Sequence, residues 1–170
     1  MGEIRSTLDI IMEKTKNLQI TEEEKAEIQR KETAAKVKGL LQRYLDGLLG
    51  MEDISREIGN MSKDARRWAK EALKNECMER IDFEKDNTQV LELLEEILGL
   101  DMRGVRELIE EFKNNSLKEA ERIKGQMEKE LRNKGIQGSA VVVNHRAAPE
   151  WHGFVEQERR RFRNRLRELE

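Results

Sequence analysis

The chain has 170 residues, of which 40% are charged, 36% hydrophobic and only 4% aromatic, and its formal net charge is -2. That balance excludes a thick apolar core and strong self-repulsion alike, and leaves enough apolar surface for thin seams between helices. One cysteine, Cys77, excludes an internal disulfide, and one proline, Pro149, disfavours a turn-rich sheet protein.

In chain order, Ile4, Leu8, Ile11 and Leu18 recur at helical spacing and predict an amphipathic helix. The start lacks a basic region followed by an apolar block, so no secretory leader is read there. The match of Met1-Gly2 to an acylation pattern is taken as an ordinary helix start. Thr21-Glu22-Glu23-Glu24 has the form of a capping box, in which the threonine oxygen accepts from an early N–H and the glutamate reaches back. The helix it opens starts polar and becomes apolar from Val37 to Leu49, with Gly50 as the expected stop. Ile54, Ile58, Met61, Ala65, Trp68, Ala72 and Cys77 keep helical phase, either as one kinked helix or as two split near Gly59-Asn60. Asp86-Asn87-Thr88 is an expected cap for the densest apolar block, Val90 to Leu100, in which Leu94 and Leu98 are expected core residues. Asp101 should cap a last long helix carrying Val105, Ile109, Phe112, Ala120, Ile123, Met127 and Leu131, with a possible bend at Asn114-Asn115.

Gly135 and Gly138 mark a change of character. Val141-Val142-Val143 is strand-like, and a lone strand must either remain a solvated linker or pair with another chain. Pro149 suits a first helical position. The final helix places Trp151, Phe154, Val155, Phe162, Leu166 and Leu169 along one side, with Glu158 interrupting.

The expected fold is therefore all-α: an antiparallel bundle of four to five helices with a C-terminal extended segment and an arginine-rich amphipathic helix. The expected division is a helical body over 1–133, a glycine-containing joint over 134–148 and a helical arm over 149–170. The apolar periodicity is complete by Leu131, so the body is expected to fold without the arm.

Catalytic constellations are sparse. The two histidines, His145 and His152, do not follow glutamates at the spacing of a di-iron bundle. Flanking Glu76 and Glu79 should raise the Cys77 thiol rather than activate it. Gly135-Ile136-Gln137-Gly138 follows a helix, the wrong order for a phosphate loop. No metal and no cofactor is called for. No apolar run reaches the roughly 20 residues of a membrane span, so a cytoplasmic protein without membrane contact is the reading.

The most specific signal is Arg159-Arg160-Arg161-Phe162-Arg163-Asn164-Arg165-Leu166-Arg167, six arginines in nine residues. Residues 145–170 hold seven arginines against five glutamates, a net +2, which leaves -4 on the rest. Arginine forks recognise carboxylates and phosphates, whereas the apolar stripe wants a groove. The expectation is a non-catalytic scaffold or adaptor, self-associating into a homo-oligomer, which docks on another protein, its own body or a second copy. The contact residues would be Trp151, Val155, Arg159, Arg160, Phe162, Arg163, Leu166 and Arg167. The alternative is an RNA- or ribosome-associated accessory protein that binds polyanion through the arginines.

Overall fold

The computed structural model describes residues 21–136, 138 and 141–169, and these are all-helical: six α-helices, one 3-10 turn and no strand among the described residues. The amphipathic helix expected before Thr21 lies outside the described residues.

Helix α1, Glu22–Leu45, starts where the capping box places it. Glu24 N donates to Thr21 Oγ1 at 3.1 Å, and Thr21 N donates to Glu24 Oε2 at 2.8 Å. The helix ends five residues before the expected stop, at a turn in which Gly47 takes φ +72°. Leu48 N donates to Arg43 O and Gly47 N to Tyr44 O, so two otherwise orphaned carbonyls are satisfied. Gly50 instead opens helix α2, Met51–Gly59, with Asp53 reaching back to its N–H at 3.0 Å. The next stretch is split rather than continuous: α2 stops at Gly59, and helix α3 runs Lys63–Arg80. Ser62 Oγ accepts from Ala65 N at 3.4 Å at the new start.

Asn87 is the N-cap of the following helix, and Asp86 just before it accepts at Oδ1 from Thr88 N at 2.9 Å and from Thr88 Oγ1 at 2.7 Å. Helix α4, Thr88–Glu96, is shorter than its apolar pattern implied, because Gly99 at φ +67° turns the chain away. Leu94 is wholly buried, whereas Leu98 falls in that turn and is only half-buried. Leu94→Ala is therefore expected to cost about 2–5 kcal/mol and Leu98→Ala clearly less, measured by denaturant unfolding. Asp101 accepts from Arg103 N at 3.0 Å and opens helix α5, Arg103–Asn133, which passes through Asn114-Asn115 without interruption. Its last turn closes as α1 does, with Gly135 at φ +77°. After the 3-10 turn His145–Ala147, helix α6 runs Pro149–Glu168 with proline in its first turn, as expected. Val141 to Asn144 is neither helix nor strand, and Val141 N donates to Gly138 O at 3.2 Å.

The chain forms two compact units that divide between Asn75 and Glu76, inside α3. Unit 1 buries Val37, Leu40, Leu41, Tyr44, Ile54, Ile58, Ala69 and Leu73. Unit 2 buries Cys77, Ile81, Phe83, Leu93, Leu94, Phe112, Ile123, Phe162 and Leu166 among others. Helix α6 therefore belongs to the core of unit 2.

Candidate functional site

In unit 2 the order of paired residues rises along α5 as it falls along α6, so the two helices are antiparallel. Arg165 pairs with Glu111, the Phe112 ring meets the Phe162 ring at 5.3 Å, and Trp151 and Val155 join Ala120, Ile123 and Ala148 in one cluster. Phe83, from the segment after α3, completes a trio: its ring centre lies 5.7 Å from Phe112 and 5.4 Å from Phe162. Tilted and edge-on aromatic contacts at this spacing add to the area they bury.

The eight expected contact residues fall into three groups. Trp151, Val155, Phe162 and Leu166 are buried inside unit 2, so the apolar stripe has found its groove within the chain. Arg159 and Arg163 hold α6 in place. Arg159 pairs with Glu84 and lies 3.9 Å from Asp82. Arg163 Nη1 donates to Met78 O at 3.1 Å and its Nη2 donates to Glu79 O at 2.8 Å, so a cation closes the carbonyl end of α3. The side chains of Arg160 and Arg167 make no hydrogen bond or ion pair among the described residues. Two turns apart, they share with Glu156, Arg163 and Asn164 an outward depression of about 520 Å³.

The other two arginines of the cluster are also engaged. Arg161 pairs with Glu158, and Arg165 pairs with Glu111 while its guanidinium lies 5.8 Å from the centre of the Phe112 ring. Glu158 is 3% exposed, so the residue that breaks the apolar stripe is itself inside the seam. Arg161 serves one carboxylate oxygen, and Oε2 has no partner among the described residues.

Sequence reasoning missed the receiving surface. Asp82-Phe83-Glu84 offers an aromatic between two acids, the complement of Arg159 and Phe162, and this run was the signal that could have located it.

The chemically reactive side chains are placed differently. Cys77 is fully buried and its thiol is pushed up to about 12 by burial, with nearby Arg80 lowering it and Glu76 raising it by less. Burial, rather than the flanking acids, is thus the main cause. The native thiol is expected to resist alkylation at pH 8 and to react once urea unfolds the chain. Its folded value lies above the ordinary 9.0, so its contribution to stability is full below about pH 9 and is lost as pH rises towards 12. Rapid native labelling would contradict this placement. His145 stacks edge-on against Trp151 at 4.7 Å. Burial first, then Lys124 and Arg146, hold its imidazole below the usual histidine range.

No protein-family model, no curated protein and no solved structure matches the chain.

Proposed function

We propose that the protein is a non-catalytic cytoplasmic scaffold or adaptor that works through protein–protein contacts, with the outward side of α6 as its contact surface. The observation that carries this reading is the pair Arg160 and Arg167, left unpartnered among the described residues on a helix whose other arginines are all engaged. The apolar side of α6 serves the core of unit 2, so recognition falls to charge and to bidentate guanidinium geometry. The chemistry that fits is an acidic protein surface. Self-association follows the same logic, because the first turn of α1 exposes Glu23 to a second copy, beside Glu22, which pairs with Lys25, and Glu24, which serves the capping box.

The alternative is a polyanion such as RNA, since guanidinium forks suit phosphates as well as carboxylates. Glu156 on the depression and Glu84 beside Arg159 weigh against it, because a phosphate backbone would meet both charges. Two free arginines would also give a shallow salt dependence, a slope of about two on the logarithmic plot.

The test is a crosslinking pull-down from nuclease-treated lysate, together with sedimentation of the purified chain. Comparison is between the wild type and the double variant Arg160→Glu, Arg167→Glu. Captured protein and self-association should both weaken about tenfold or more in the variant, with the melting temperature unchanged, because neither side chain touches the core. Loss of the captured material on nuclease treatment would favour the polyanion reading. Equal capture by both chains would remove α6 as the contact surface.

A further inference from the structure

A second surface lies in unit 1, independent of α6. Helices α1 and α2 and the turn between them enclose a groove of about 580 Å³. Its floor is Leu40, half-buried Leu49 and Gly39, and Leu48, the sequence neighbour of Leu49, stands 69% exposed. Its walls are charged. Lys36 pairs with Glu57 at 2.8 Å and Arg56 pairs with Asp53, so both acids already have cations. The guanidinium of Arg43, the third cation of the lining, makes no direct hydrogen bond or ion pair among the described residues. Its charge only adds to those of Lys36, the main cause, and Arg56 in holding the Glu57 carboxyl below the usual range. The groove thus has an apolar floor and one unspent positive charge.

Gly39 gives a further indication. A glycine inside a helix is costly, because it loses the most conformational freedom on folding. The fold does not require one here: a Cβ at this position would meet nothing within 4 Å, and the backbone needs no positive φ. Gly125 and Gly153 share that open space. At Gly39 the space also forms the floor of a charged groove, and that combination calls for an occupant that approaches the helix closely. The geometry points to this groove as a docking site for an acidic–apolar segment of a partner protein, with an apolar side chain over Gly39 and Leu40 and a carboxylate on Arg43. An adaptor with this site and the α6 surface would have two separate contacts, and neither depends on the other.

The probe is a fluorescein-labelled octapeptide of alternating leucine and glutamate, titrated against the full chain by fluorescence polarisation. Its lysine counterpart and a single-stranded uridine homopolymer serve as comparisons. The glutamate peptide should bind, and Arg43→Glu and Gly39→Leu should each weaken it about tenfold or more. Leucine is a better helix former than glycine, so Gly39→Leu should melt no lower than wild type, and a loss of binding there cannot be ascribed to unfolding. Arg160→Glu with Arg167→Glu should leave this binding intact, which separates the groove from the α6 surface. The proposal is overturned if the glutamate peptide fails to bind, if the lysine peptide or the homopolymer binds in its place, or if both groove variants bind as wild type does.

Discussion

Ending the chain after Asn133 is expected to abolish the cooperative melt of unit 2. The sequence alone suggested the opposite, because the apolar periodicity of the body is complete by Leu131. The structure shows what that pattern could not: the faces of Phe112, Ala120 and Ile123 are covered by α6. Truncation would remove Trp151, Val155, Phe162 and Leu166, all buried. At about 1.5–3 kcal/mol for each buried apolar side chain, the loss is on the order of 6–12 kcal/mol. A whole domain is commonly stable by only about 5–15 kcal/mol. Circular dichroism melts of the 1–133 and full-length chains make the comparison. The shortened chain should keep part of its helical signal but melt broadly for residues 76–133. A sharp transition within a few degrees of the full chain would mean that α6 contributes little.

The second large effect is expected at Phe162. Its ring is 1% exposed and touches both Phe83 and Phe112. Phe162→Ala should cost about 3–5 kcal/mol, since the rigid α5–α6 seam cannot close over the cavity. Arg159→Ala should cost far less, although Arg159 also ties α6 to the segment after α3, because its side chain is 48% exposed and such pairs contribute little in water. Denaturant unfolding of the two variants separates the contributions. Equal losses would assign the docking of α6 to charge. Glu158→Met is a useful companion: it removes a buried carboxylate with one unserved oxygen, and stability should hold or rise.

Much of the local structure was legible in the sequence because its signals are local. Thr21 with Glu24, Asp86 with Thr88, Asp101 and Pro149 all cap or open helices as their chemistry requires. Where the reading slipped, a turn competed with periodicity. Gly47 ended α1 before the apolar run ran out, and Gly99 cut α4 short, leaving Leu98 half-buried. The harder case was α6. Its stripe and its arginines were visible, and so was the need for a groove. Which groove was not, because periodicity gives the face of a helix but never its partner. Docking on the chain's own residues was among the readings, yet nothing local ranked it above docking on a second molecule. Separating the engaged arginines from Arg160 and Arg167 needed the third dimension, since Met78 and Glu79 receive Arg163 through backbone carbonyls that carry no sequence signature.

The central claim is that α6 gives Trp151, Val155, Phe162 and Leu166 to the core of its own unit. Hydrogen exchange of the intact chain, followed by mass spectrometry, tests it most directly. Amides of α6 from Val155 to Leu166 should exchange as slowly as those of α5 around Phe112, and the two segments should lose protection together as denaturant is raised. Fast exchange along α6 while α5 stays protected would show a helix that stands free of the core, and would contradict the account.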